Sequence, residues 1–104
     1  MRLKIFAHEL GLAENEYMDL ARLFADTSIS ELKSLKSAIS ANARAEALAI
    51  AHSLKGAALN MKLEEFSEIA GEIETAIRNS QWQAADQLIR KFSALLEEFV
   101  WAIE

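Results

Sequence analysis

The 104-residue sequence has no cysteine, no proline and three glycines. Without cysteine there can be no disulfide, thiolate nucleophile or thiolate metal site, and the chain fits a reducing compartment. Without proline, and with so little glycine, it lacks the turn chemistry that a protein of many short strands needs. Basic runs are missing too. Eleven Lys and Arg stand against sixteen Asp and Glu, a formal charge of -5, and no interleaved basic and aromatic platform appears, so nucleic acid is not an expected ligand. The opening Met1-Arg2-Leu3-Lys4-Ile5-Phe6-Ala7-His8-Glu9 is broken by charge too early for a signal peptide or membrane span. A cytoplasmic protein with no membrane contact is expected, and starting at Met1 favours a free-standing one.

What remains is rich in Ala, Leu, Glu and Lys and is 52% hydrophobic. That composition predicts an all-α fold, and the length allows one compact domain over residues 1–104. Leu3, Phe6, Ala7 and Leu10 form a short amphipathic segment that Gly11 can end in a left-handed conformation. Tyr17, Leu20, Ala21 and Phe24 recur at helical spacing, as do Ile29, Leu32, Leu35, Lys36 and Ile39, with a phase slip between the two sets. Asp26-Thr27-Ser28, with Ser28 and Glu31 spaced as a capping box, predicts a kink or a junction of two helices there. Asn42 is the expected N-cap of the next helix, Leu63 to Arg78 forms another, and Ser80 with Gln83 caps the last. In that last helix Trp82, Ala85, Leu88, Ile89, Phe92, Leu95, Leu96, Phe99 and Ile103 make the longest apolar stripe. Four principal helices with short connections predict an antiparallel four-helix bundle, with a short additional N-terminal helix.

The most informative segment is Ala51-His52-Ser53-Leu54-Lys55-Gly56-Ala57-Ala58. At roughly 100° per residue, Ala47, Ile50, Leu54, Ala57 and Met61 share an apolar stripe and His52 lies nearly opposite it. A solvent-facing imidazole with Lys55 one turn on, and with no side chain at Gly56, suits a histidine that carries an anionic group. Leu48 and Leu59 flank it on the outward face, where an apolar rim points to a docking surface. Hairpin geometry around residue 62 sets Gly71 across from His52, and from there Glu74 can reach back toward it.

These residues resemble the signature of the histidine-containing phosphotransfer (HPt) domain family, roughly A-H-x-L-K-G-x-A-x-x-(L)-(G). Ala51, His52, Leu54, Lys55, Gly56 and Ala58 match, Met61 takes the leucine slot, and Lys62 replaces the usual glycine. The likeness continues through Ile73-Glu74 and Asn79-Ser80-Gln81-Trp82 and covers residues 42–103. It implies a phosphorelay intermediate, not an enzyme, in which His52 accepts a phosphoryl group from a receiver-domain aspartate or partner kinase and passes it to another receiver. Lys55 would then pair with phosphoryl oxygens and Gly56 would leave room for the partner. The resemblance further implies that a polar residue at Glu74 hydrogen-bonds near the histidine and that a basic residue at Arg78 helps hold phosphate. Glu74 and Arg78 are equally well read as an i,i+4 surface ion pair.

The expected partners are a response-regulator receiver domain and a hybrid sensor histidine kinase, with Mg²⁺ brought by the receiver and no cofactor bound by this chain, a monomer. His8 has no ligand or nucleophile spacing around it, and two histidines make no metal site. The pairs Glu64-Glu65 and Glu97-Glu98 splay apart on helices, as a solvated face requires. The alternative function is a non-catalytic helical module that binds a receiver or kinase without carrying phosphate. A purely structural bundle would need a large exposed apolar face, for which Val100 and Trp101 are the candidates.

Overall fold

A computed structural model describes residues 3–104. Met1, Arg2 and the side chain of Leu3, which the first apolar stripe includes, lie outside the described residues. The described chain forms five helices: α1 (Leu3–Glu9), α2 (Glu14–Ser40), α3 (Arg44–Asn60), α4 (Glu64–Arg78) and α5 (Trp82–Ile103). Each of the four long helices packs on its neighbours in the order α2, α3, α4, α5, and α5 returns against α2, while α1 packs on α2. Among the described residues none of the helices is long and apolar enough to cross a membrane.

The junction expected at residues 26–28 does not occur, because α2 runs unbroken through it. Its buried face is Tyr17, Ala21, Phe24, Ala25, Ser28, Leu32, Leu35 and Ala38, so Ser28 supplies the step that joins the two apolar sets. A small side chain in that slot lets the stripe continue even though its hydroxyl is polar, and a count of apolar residues alone reads this as a slip. Leu20 and Ile29, expected in the stripe, are instead exposed. Glu31 makes no capping box with Ser28; its Oε1 accepts from the Ser53 hydroxyl of α3 at 3.0 Å.

The three connections between long helices are built alike. Each ends its helix with a left-handed residue, Asn42 (φ 57°), Lys62 (φ 56°) or Ser80 (φ 56°). The next amide then reaches back to a carbonyl of the last turn: Ala43 to Ala38 at 2.8 Å, Leu63 to Ala58 at 2.9 Å and Gln81 to Ala76 at 2.8 Å. Gly11 (φ 70°) ends α1 in the same way, with Leu12 donating to Ala7 at 2.8 Å. This Schellman arrangement satisfies carbonyls that a helix end leaves free. Asn42 and Ser80 therefore close the preceding helices, whereas capping from sequence places them at the start of the following ones. The N-caps are Ala43, Leu63 and Gln81, none with a side-chain capping bond. Lys62 adopts the turn that glycine would adopt, at the steric cost of its Cβ in the left-handed region.

The core is one continuous cluster from all five helices. Phe24, Phe66, Phe92 and Phe99 meet edge to face, with ring centroids 5.1 to 5.6 Å apart, the favoured geometry for aromatic quadrupoles. Phe6 stacks on the fully buried Tyr17 and holds α1 to α2. The Tyr17 hydroxyl has no hydrogen-bond partner, and burial, then the nearby charge of Glu9, pushes its pKa up to about 12 from 10.0.

Two outcomes follow from these backbone and burial features. Lys62→Gly should raise the urea midpoint by the equivalent of about 1 kcal/mol with no change in m-value, because the left-handed strain is removed and the native surface is not. For Tyr17 the neutral phenol is favoured in the fold, so its stabilisation is fully present below 10.0 and is lost as pH rises from there through about 12. Urea titrations across that window should show falling stability in the wild type. Tyr17→Phe should flatten the fall and leave neutral-pH stability little changed, since it removes an unpaired buried hydroxyl.

Candidate functional site

The buried face of α3 is Ala47, Ala51, Leu54 and Ala58, continued by Met61 in the turn. Ile50 and Ala57, expected at its centre, are only half-buried. The helix is therefore rotated relative to the expected stripe, and His52 stands on the flank beside α4 instead of directly opposite the core. Leu48, His52, Lys55 and Leu59, spaced by four, three and four residues, share this flank. Leu48 is half-buried and packs partly on the core, whereas Leu59 is 55% exposed. A Cβ added at Gly56 would meet nothing within 4 Å, so this position faces open space.

Helices α3 and α4 run antiparallel, as residue pairs across them show: His52 meets Glu74, and Lys55 meets Gly71. The hairpin expectation set Gly71 across from His52 with Glu74 reaching back: the Glu74 carboxylate does reach His52, while Gly71 lies against Lys55. His52 Nδ1 lies 3.4 Å from Glu74 Oε2, and the same oxygen accepts from the Arg78 guanidinium at 3.1 Å. The His52 side chain is 74% exposed and that of Glu74 only 14%, so a solvated ring rests against a carboxylate whose position is fixed by packing and by Arg78. A proton on Nδ1 is favoured by the facing carboxylate, which leaves the lone pair of the neutral ring on Nε2, the nitrogen farther from α4. That arrangement makes Nε2 an accessible nucleophile.

Lys55 lies across the face of α4 where Gly71 has no side chain. A Cβ at residue 71 would be 3.8 Å from Lys55 Cδ and Cε and 4.0 Å from Nζ, ordinary contact distances. The lysine stem thus lies close to α4, beside Gly71, and the residue stands one helical turn from His52.

Two contacts around the site have no local signal in the sequence. The Arg44 guanidinium at the start of α3 donates to the Arg78 backbone carbonyl at the end of α4, tying the two helices together 34 residues apart in the chain. On the other flank Ser53 donates to Glu31, whose second carboxylate oxygen is buried without a partner. Sequence spacing identifies neighbours along one helix, and both contacts join different helices. Among the described residues no group of three or more His, Asp or Glu converges in a way that could hold a metal ion, and His8 is exposed in α1, away from these groups.

A family model for the Hpt domain matches residues 19–100. That span takes in α3, α4 and nearly all of α2 and α5. No curated protein and no solved structure matches the chain.

The geometry predicts the tautomer and the cost of each glycine. In ¹⁵N-resolved spectra at neutral pH the uncharged His52 ring should carry its proton mainly on Nδ1, and Glu74→Ala should move the population toward Nε2–H, the form usual for a free imidazole. An unchanged tautomer ratio would show that the 3.4 Å contact does not orient the ring. Gly56→Ala and Gly71→Ala should each stabilise the fold by up to about 1 kcal/mol in thermal or urea unfolding, since both are interior helical positions with room for a methyl group.

Proposed function

The chain belongs to the Hpt-domain family, and from that membership we propose that His52 is the residue that carries the phosphoryl group. Hpt domains serve histidine phosphotransfer in phosphorelays, in company with the receiver domains and kinases of two-component systems. The single observation that carries the assignment is the solvent-exposed His52 ring resting on a mostly covered, Arg78-anchored Glu74.

In the step proposed, the Nε2 lone pair attacks the phosphorus of an aspartyl phosphate. The N–P bond forms as the P–O bond breaks, and the aspartate carboxylate leaves with the electron pair. Transfer onward reverses this, with a second receiver's carboxylate as nucleophile and Nε2 as leaving group. The transition state is loose and its charge lies on the phosphoryl oxygens, so rate comes mainly from position and charge. Glu74 orients the ring and balances the positive charge that develops when Nδ1 keeps its proton. Lys55 approaches the transferring oxygens from its seat on Gly71, and Arg78 adds a second cation at the α4 side. Gly56 gives the partner a side-chain-free patch, with Leu59 as the main apolar contact and Leu48 contributing its exposed edge. The receiver supplies the aspartate and Mg²⁺, and no cofactor belongs to this chain. The phosphocarrier acts in the cytoplasm as one domain over residues 1–104, its four long helices forming an antiparallel up-and-down bundle. It has no kinase activity of its own, since the sequence offers no glycine-rich loop whose amides could cradle a nucleotide.

The test is relay in a purified system. Mixed with a phosphorylated receiver or a kinase and receiver, the wild-type chain should take up acid-labile phosphate, and His52→Gln should take up none while keeping its helical spectrum. Lys55→Ala should slow transfer by roughly ten- to a thousandfold, the range for loss of one charge-stabilising group. Gly56→Leu should weaken receiver binding without loss of stability. Labelling of the chain by ATP and Mg²⁺ alone, or acid-stable phosphate surviving in His52→Gln, would overturn the reading. Receiver binding without any transfer would favour the non-catalytic module.

A further inference from the structure

Helices α2 and α5 form the wall of the bundle away from α3 and α4, and between them runs a groove of about 410 Å³ that the phosphocarrier reading leaves unused. Its floor is apolar, from Leu32, Leu96 and Val100. Beside it stand Ile29, 41% exposed, and Trp101, 81% exposed and the most exposed large apolar side chain among the described residues. Burial of an aromatic ring of that size contributes more than almost any other side chain to association, so leaving it in water is costly. The charges on the groove are divided: Lys33 and Lys36 line the α2 wall, and Glu97 lines the α5 wall.

We propose that this face binds a second copy of the same chain. An apolar knob beside an apolar hole, both on one surface, is what an isologous interface requires, since each copy must offer both halves. A two-fold axis parallel to the helices sets the α2 wall of each copy against the α5 wall of the other and keeps heights along the bundle unchanged. Residues that line one groove lie at neighbouring heights, so Trp101 of each copy is brought to Ile29 and Leu32 of the other. By the same operation the lysines of each copy meet Glu97 of the other. A two-fold perpendicular to the helices would oppose lysine to lysine, so the charge division selects the parallel axis. In the proposed dimer, an alternative to the monomer expected from sequence, both His52 sites turn outward on opposite sides, free for receivers.

This inference does not depend on His52, and its test needs no phosphate. Sedimentation velocity from low to several hundred micromolar should show the mass doubling with concentration, in wild type and His52→Gln alike. In a Trp82→Phe background, Trp101 emission should shift to the blue over the same range. Trp101→Asp should weaken association about thirtyfold or more, as expected for a central aromatic anchor. Lys33→Glu with Lys36→Glu should also weaken it, and adding Glu97→Lys in the same chain should restore it, an outcome that a misfolded variant could not produce. A chain that stays monomeric throughout, or a dimer untouched by Trp101→Asp and by the charge reversals, would overturn the proposal. Transfer activity would then stand or fall separately.

Discussion

Close approach of α3 and α4 is the constraint on which the site depends. Three of the four buried positions within α3 are alanine, Ala47, Ala51 and Ala58, each with no exposed surface. Small side chains let two helix backbones come near enough for residues on their flanks to touch, at the cost of apolar area that larger residues would bury. Phe66, Phe92 and Phe99 of α4 and α5, with Phe24 of α2, supply that area elsewhere in the bundle. The division of labour is physical: aromatic packing stabilises the bundle, and alanine packing sets the distance across which His52 and Glu74 face each other.

Register is fixed at both ends of this pair. At one end the left-handed Lys62 and the Leu63 to Ala58 hydrogen bond close the turn from α3 into α4. At the other, Arg44 holds the final carbonyl of α4. Between these anchors the pairing of His52 with Glu74 and of Lys55 with Gly71 follows with no freedom to slide, since a shift of one residue would turn each flank residue by about 100° around its helix. The site is thus a property of two helices and their turn. Its residues stand on the flanks of α3 and α4, with none drawn from a loop.

Glu74 illustrates how an ion pair can serve orientation more than stability. Its two partners, His52 and Arg78, are largely exposed, and such pairs contribute little to folding free energy. The carboxylate itself is mostly covered, so its position is set by packing and its charge is spent on the ring and the guanidinium. Lys55 shows the same logic in another form. Its hydrocarbon stem lies along α4 at a glycine, and the ammonium group is carried to the edge of the site.

The all-helical character, the short opening helix ended by Gly11 and the exposed His52 beside Lys55 and Gly56 were legible in the sequence, because each depends on neighbours within a few residues. Helical periodicity, the left-handed Gly11 and the H-x-L-K-G spacing are local facts of one chain segment. The continuity of α2 was not legible, because Ser28 is polar by chemistry and acts in the core by size. Asn42 and Ser80 close helices and do not open them, a choice between two local solutions that the turn hydrogen bonds decide. The rotation of α3, the half-burial of Leu48, and the seating of Lys55 against Gly71 required the packed bundle. Sequence determines which side chains share a helix face; how far a helix turns, and which residue of its neighbour each one meets, is decided when alanines, aromatics and turns settle together into one core.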